Sequence, residues 1–274
     1  MNERALLQEI NADSQQSPSG RVIYLEGVTD VPMLAGLLGV APPADGIIAG
    51  TLVRGLKETT GSGATAVGQR VEVARRNGFS DVFGVIDGDG VALEELAARF
   101  DPPSAGPVFS WKAYCIENLL TRTGWPSGWS SSPDWNAALM SYRGYVAMNG
   151  VHRQIQRVLS LVGLRSFAQP RLGEPLRAAE DIEAQLATEG EALGVPSVVE
   201  RFRRELFRFD EAIGAGLDSA HALVNGKWLV DVLAPERTGR APSACRDEWT
   251  RHAVSVGGLP EIRDWWSRVI GVSP

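Results

Sequence analysis

Two short apolar runs constrain the fold of this chain more than any other feature of its sequence. Residues 21–25 (RVIYL) and residues 82–86 (VFGVI) are rich in strand-forming side chains and are too short for typical helices. Neither run alternates with polar residues, which is typical of parallel strands that are covered on both faces. Helical patterns at residues 31–38 and 67–77 lie between them, so the order predicts βαβ units and an α/β fold.

Acidic residues follow both apolar runs. Glu26 comes directly after the first run, and Asp87 and Asp89 follow the second in an Asp-Gly-Asp-Gly segment. The carboxyl ends of parallel strands share one edge of a sheet, and in an extended segment Asp87 and Asp89 would point the same way. Each acid alone is typical of an ordinary turn, whereas three together repel one another and favour a divalent cation with oxygen ligands. The sequence therefore predicts Glu26, Asp87 and Asp89 as catalytic residues that bind Mg²⁺ or Mn²⁺.

Five further polar residues are candidates for the same site. Asp30 lies four residues after Glu26 and is either a metal ligand or a helix cap. Glu117 and Asn118 either supply or orient a further ligand, or Glu117 caps a helix or pairs with a basic residue. Lys112 and Lys227 are candidates to balance charge on a reacting phosphate, and Lys112 is included in the predicted catalytic set.

Four segments of the chain resemble known proteins. YLEGVTD at residues 24–30 and VIDGDG at residues 85–90 resemble the Glu-Gly-x-x-Asp and Asp-x-Asp segments of the TOPRIM fold. CIENLL at residues 115–120 and VNGKWLVDVL at residues 224–233 resemble segments of the DUF4435 group of TOPRIM proteins, which is similar to the OLD-family nucleases. The resemblance extends over about residues 20–120 and then continues only in scattered segments.

That resemblance implies a function as well as a fold. It implies a TOPRIM-like parallel sheet flanked by helices and a metal-dependent endonuclease that cleaves RNA, tRNA included, or DNA. Members of the group include effectors of PARIS-type anti-phage defence, which accompany an ABC-type ATPase, so an ATPase partner is implied here too. The loop at residues 50–63 lacks the clear Gly-Lys-Asp/Asn stretch of the group. Lys57 is therefore more readily a solvated loop lysine than a phosphate contact.

The composition changes beyond residue 122. Trp, Ser, Gly and Pro are frequent at residues 125–133, and most of the sequence after them has helical patterns. We therefore expect a TOPRIM-like catalytic domain over residues 1–122 and a mostly helical region over residues 123–274 that binds substrate or partner. Two features of the second region have two interpretations each. A basic helix face is either a docking surface or a solvated surface, and a tryptophan pair lies either at an interface or in the core. The basic face is Arg201, Arg204 and Arg208, and the pair is Trp265-Trp266.

Bulk properties limit the class of protein. The net charge of -6 and a pI near 5.2 argue against a protein that coats nucleic acid, but not against a nuclease with a local metal site. The polar residues 1–20 lack the apolar stretch of a signal peptide, and no apolar run is long enough to span a bilayer. Cys115 and Cys245 lie in no metal-binding motif, and we expect both to be small core residues. Together these features predict a cytoplasmic protein.

The sequence leaves several points open. Dispersed histidines show no metal-site spacing, and no Gly-x-x-x-x-Gly-Lys-Ser/Thr motif is present, so nucleotide hydrolysis is assigned to the partner. Neither the choice between RNA and DNA nor the oligomeric state, a homodimer included, can be read from these patterns. The alternative function is a non-catalytic binding or regulatory subunit that keeps the fold.

Overall fold

A mixed, mostly parallel sheet of five strands organises the first half of the chain. The computed structural model describes residues 2–56, 63–89, 98–100, 106–159, 169–192, 197–271 and 273–274. The strand order is β2-β3-β1-β4-β5; β1 pairs in parallel with β3 and β4, β4 pairs in parallel with β5, and β2 runs antiparallel to β3. The strands are β1 Val22–Leu25, β2 Ile47–Ile48, β3 Thr51–Gly55, β4 Val82–Ile86 and β5 Val108–Ser110.

Helices cover both faces of this sheet. Helices α1 (Glu3–Gln16) and α3 (Ala64–Arg76) pack on one face, where Tyr24 of β1 joins their apolar side chains. Helix α2 (Asp30–Leu38) packs on the other face, where Ile23 contributes to a second cluster. The apolar run of β1 is continuous because both faces of this strand are buried. The prediction of an α/β sheet flanked by helices is confirmed.

Beyond residue 115 the described chain is helical. A five-residue π-helix, Leu229–Leu233, interrupts the ordinary helices. The other helices are α4 Ile116–Thr121, α5 Trp135–Ser141, α6 Arg143–Leu159, α7 Ala179–Ala192, α8 Ser197–Ala215, α9 Leu217–His221, α10 Gly226–Trp228, α11 Ala234–Thr238, α12 Pro242–Ser255 and α13 Pro260–Ile270. None of the helices in the described ranges is long and apolar enough to cross a membrane.

The last two helices complete the core of the sheet. Helices α12 and α13 both pack against α2, and Trp265 and Trp266 are each 0% exposed. The Trp265 ring lies 5.4 Å from that of Phe109 on β5 and 5.8 Å from that of Trp111. The expectation of core packing for the tryptophan pair is confirmed, and its use as a docking surface is wrong because burial hides both rings. Cys115 and Cys245 are also buried, as expected.

Two elements differ from the sequence-based expectation. The segment after residue 51 was expected to be a loop because it mixes Gly, Thr and charged residues, yet β3 occupies Thr51–Gly55 and pairs along β1. Its final residue, Gly55, passes so close to the next chain segment that a Cβ there would lie 2.3 Å from the Gly27 carbonyl oxygen. The polar opening contains α1, which buries only Leu6 and Ile10. Both elements depend on tertiary partners more than on their own pattern.

Candidate functional site

Glu26 connects the ends of the two central strands. It follows β1 directly, and its Oε1 accepts a hydrogen bond of 2.8 Å from the backbone amide of Asp87, which follows β4. Its carboxylate also accepts a hydrogen bond from the amide of Ala64 at the start of α3. Burial raises the pKa of Glu26, these backbone bonds oppose the shift, and the charge of Asp89 adds to it. The predicted meeting of acids from two strand ends is therefore present.

Asp87 and Asp89 differ in burial, with Asp87 partly buried and Asp89 exposed. Burial raises the pKa of Asp87 well above its usual value, and the charges of Glu26, Asp30 and Glu117 raise it further. Asp89 is exposed and has a φ of 48°, so the Asp-Gly-Asp segment is not extended. The turn is held because the amides of Gly88 and Asp89 both donate to the Tyr114 carbonyl, at 2.8 and 3.0 Å.

Asp30 closes a turn and also interacts with the other acids. Its Oδ2 accepts a hydrogen bond of 2.8 Å from the Gly27 amide, which closes the turn between β1 and α2. The side chain is buried, and this burial raises the pKa of Asp30 to about 6, with the charges of Glu117 and Glu26 contributing in the same direction. Asp30 is therefore electrostatically coupled to the other acids, whatever its role in the turn.

Glu117 lies deepest in this group. It is 1% exposed at the start of α4, and its Oε2 is buried without a hydrogen-bond partner. A buried carboxylate oxygen without a partner is costly, because it has lost its hydration and gained nothing in exchange. The Oε2 atom is therefore available to a cation or to a hydrogen-bond donor. We call Glu26, Asp30, Asp87 and Glu117 the carboxylate cluster.

The cation that faces the carboxylate cluster comes from the helical region. Lys227 is exposed, and the partial desolvation of its ammonium, which would lower its pKa, is outweighed by attraction to Glu117, Asp87 and Asp30, so the pKa is raised. Lys227 forms no ion pair within 4.0 Å with any described residue, so this attraction acts through space. The ammonium of Lys112, by contrast, lies 4.8 Å from the centroid of the Phe100 ring. Its predicted catalytic role stays a prediction.

Asn118 joins the two regions beside the cluster. Its side chain accepts a hydrogen bond from the Gly226 amide at 3.1 Å and donates one to the Val224 carbonyl at 3.0 Å. The sequence marked Asn118 and Lys227 separately and did not indicate that the segments carrying them touch. The one sequence feature that could have linked these residues is that both of their segments, CIENLL and VNGKWLVDVL, resemble segments of the same protein group.

The remaining candidates lie away from the cluster or outside the described residues. Arg208 pairs with Glu205 at 3.4 Å on α8, and Arg204 is exposed there. His252 contacts the Thr123 carbonyl at 3.2 Å, which is a structural role. Lys57 lies outside the residues that the structure describes.

The carboxylate cluster suits a divalent metal ion in its chemistry but is not arranged as a finished metal site. Within the described ranges, no three His, Cys, Asp or Glu side chains form a ready-made metal-binding group. The donors nevertheless suit Mg²⁺ or Mn²⁺ in kind, because all are carboxylate oxygens and the charges of Glu26 and Glu117 add to the raised pKa values of Asp30 and Asp87. The unpartnered Oε2 of Glu117 is the atom that such an ion would satisfy. The residues fit the ion in charge and chemistry, and their side chains have to move to coordinate it.

Comparisons with known proteins return no relative. No family model matches the chain, and no match is found among the curated proteins or the solved structures. The resemblance to TOPRIM proteins therefore rests on the four segments quoted above, and function has to be argued from the side chains.

Proposed function

We propose that this chain is a Mg²⁺- or Mn²⁺-dependent endonuclease of the TOPRIM type. The observation that carries the proposal is the carboxylate cluster at the carboxyl ends of β1 and β4, faced by Lys227. Ligands bind at this edge of open α/β sheets, and perturbed acids gathered there are typical of functional sites. The proposal thus uses both the position of the acids and their chemistry.

Charge balance favours a metal over a purely structural role for the acids. Four carboxylates lie within electrostatic reach of one another, and Lys227 is the cation that lowers the pKa of Glu26, Asp30 and Asp87. One ammonium cannot neutralise four ionised acids, so the cluster either holds protons or takes up another cation. A hard divalent ion with oxygen ligands removes this conflict.

Each residue of the site has a proposed task. Glu26, Asp87 and Glu117 hold the ion, with Asp30 supporting them and the exposed Asp89 reaching towards the substrate side. Bound Mg²⁺ supplies charge neutralisation and polarises the scissile phosphate. Lys227 faces the same space and balances charge that develops on the phosphate oxygens. Glu26 is the proposed base, because it is half-buried and burial raises its pKa, which makes its carboxylate a better proton acceptor than that of an exposed glutamate.

The proposed biological role follows from the sequence resemblance. The substrate is RNA, tRNA included, or DNA, and the nuclease is a toxic effector of anti-phage defence that an ABC-type ATPase partner controls. A net charge of -6 means that substrate is bound by local groups rather than by the whole surface. Arg204, exposed on α8, remains a candidate contact for the substrate or the ATPase.

A cleavage assay with matched variants tests this proposal. Purified protein is incubated with DNA and with total RNA in Mg²⁺, Mn²⁺ or EDTA, alone and with the product of a neighbouring ATPase gene. Glu26→Gln is expected to abolish cleavage, because it removes a negative ligand while keeping the size of the side chain. The control is Glu72→Gln, an exposed glutamate on α3 whose partner is Arg76. Equal cleavage by both variants would assign the activity to a contaminant or to another site.

A non-catalytic binding subunit is the second candidate. It is favoured by the absence of a ready-made metal-binding group among the described side chains. The two functions differ in metal affinity, so calorimetric titration with Mg²⁺ and Mn²⁺ separates them. Binding that Glu26→Gln weakens supports the nuclease, and no binding by the natural protein supports the binding subunit.

A further inference from the structure

Asn118 is completely buried between the sheet region and the helical region. Its Oδ1 accepts hydrogen bonds from the backbone amides of Cys115 at 3.0 Å and Gly226 at 3.1 Å. Its Nδ2 donates to the Val224 carbonyl at 3.0 Å and lies 3.4 Å from Nδ1 of His221. Both ends of the amide are thus used, and three of these four partners lie more than 100 residues away along the chain.

The contact with Gly226 leaves no room for a side chain. A Cβ at position 226 would lie 2.5 Å from the backbone nitrogen of Asn118 and 2.6 Å from its Oδ1. The backbone of the next residue, Lys227, is also fixed, because its amide donates a hydrogen bond of 3.0 Å to Asn225 Oδ1 at the start of α10. The backbone that carries Lys227 is therefore fixed against α4, which carries Glu117.

The Val224 carbonyl and the Gly226 amide fix which way the Asn118 amide faces, and Nδ1 of His221 lies on its Nδ2 side. Burial lowers the pKa of His221 to about 4, and the positive charge of Arg122 contributes in the same direction, so the ring is neutral near pH 7. The Nδ1 atom of a neutral ring can accept the hydrogen bond from Asn118 Nδ2. The Asn118 amide thus meets two acceptors at Nδ2 and two N–H donors at Oδ1, an arrangement that a carboxylate could not satisfy.

We propose that Asn118 is a positioning residue that holds the ammonium of Lys227 at the carboxylate cluster. It acts through the backbone of Gly226 and Lys227 rather than by touching a substrate. Its effect on catalysis rests on the proposed nuclease function, whereas its effect on the environment of Lys227 does not. Loss of the Asn118 amide frees the Val224–Lys227 segment, and the lysine moves away from Glu117 and Asp87.

Chemical labelling tests the placement of Lys227 without any nuclease assay. The chain has three lysines, Lys57, Lys112 and Lys227, so acetylation by an amine-reactive reagent can be followed at each by mass spectrometry. Only the neutral amine reacts, and the nearby acids keep Lys227 protonated. In Asn118→Ala without metal, Lys227 is expected to react faster, by about tenfold for each unit that its pKa falls. Lys112 serves as the internal reference.

The controls make this test decisive. Asn77→Ala removes another asparagine amide, which donates to the Val73 carbonyl at 2.9 Å at the end of α3, and it should leave Lys227 labelling unchanged. Asn118→Ser is a second variant that keeps a small polar group in the buried site. Unchanged Lys227 labelling in a folded Asn118 variant overturns the proposal. If both variants lose the circular dichroism spectrum of the natural protein, Asn118 is a folding residue and the positioning role is rejected.

A double-mutant cycle tests the consequence for cleavage. If Asn118 acts through Lys227, Asn118→Ala should slow cleavage in the natural background and have little further effect in Lys227→Ala. Equal effects in both backgrounds would show that Asn118 acts on something other than Lys227. No cleavage by the natural protein would overturn the nuclease proposal alone, because the labelling result stands independently.

Discussion

The sheet region and the helical region place their functional groups by different means. Glu26 and Asp87 follow β1 and β4, which pair along their whole length through backbone hydrogen bonds. Lys227 is held by the Asn118 side chain and by a glycine that permits close approach. Backbone pairing tolerates many side chains, whereas the second mechanism depends on single residues. The contribution of the helical region should therefore be the easier one to lose by one substitution.

Although they differ in this way, the two regions share one of the three hydrophobic clusters that the described residues form. Trp249 and Trp265 from the last helices lie in the same cluster as Ile23 and Val85 from the central strands. The predicted boundary between residues 1–122 and 123–274 stays a prediction; the shared cluster crosses it, whereas a second cluster lies wholly within the helical region. The following predictions test how far the comparison holds.

The largest expected effect is a difference in metal affinity between variants of the acids and variants of Lys227. Asp87→Asn should reduce metal-dependent cleavage by at least about 100-fold and weaken Mg²⁺ binding, because it removes a charged ligand. Lys227→Ala should also slow cleavage but should leave Mg²⁺ binding intact or tighter, because an opposing cation is gone. Calorimetry and initial rates measure the two effects, with the exposed Asp81→Asn at the other end of β4 as control. Equal losses of metal affinity in both variants would contradict the proposal that the acids bind the metal and that Lys227 balances charge on the phosphate.

Removal of a shared core residue comes next. Trp265→Ala should lower the free energy of unfolding by about 3–5 kcal/mol, because it leaves a cavity between α13 and the sheet. Urea unfolding should retain one transition for both regions. Phe207→Ala, a large aromatic residue that is 63% exposed on α8, should change stability by less than about 0.5 kcal/mol. Two separate transitions, with only one shifted, would show that the regions fold independently.

The pH dependence of stability tests the coupling of Asp30 to the cluster. Its folded pKa of about 6 lies above the usual value, so the folded protein binds the extra proton between about pH 4 and pH 6. Without metal, stability should therefore fall as the pH rises through this window, by about 2–3 kcal/mol from Asp30. Asp30→Asn should make the profile flatter in urea unfolding with EDTA. The control is Asp264→Asn, which changes an exposed aspartate on α13 and should leave the pH profile of stability unchanged. Identical pH profiles for the natural protein and Asp30→Asn would contradict the coupling.

The smallest expected effects compare two glycines in helices. Gly68 lies inside α3, where a Cβ would meet nothing within 4 Å, so Gly68→Ala should stabilise the protein by about 0.5–1 kcal/mol. Gly226→Ala should instead destabilise it, because its methyl group would collide with Asn118. Thermal unfolding of both variants gives the sign of each effect. A stabilising Gly226→Ala would show that the contact between the regions is looser than the structure indicates.

Part of the fold was predictable because its signals are local. The strand at residues 82–86 agrees with β4, and the first strand differs from β1 by one residue, since an uninterrupted apolar run is buried on both faces wherever it lies. The strand β3 was missed, because Arg54 and Gly55 break its apolar pattern and its position depends on pairing with β1. Helix α1 was missed for a similar reason, since only two of its residues are buried.

The sequence by itself determined the α/β order and the acids that follow β1 and β4, because strand patterns and the residues ending them are neighbours in the chain. Only the tertiary structure decided that Lys227 faces the carboxylate cluster and that Trp265 is a core residue. It also decided that Asn118 reaches Gly226, 108 residues further along. These choices depend on packing and hydrogen bonds between segments far apart in sequence, which no local pattern encodes.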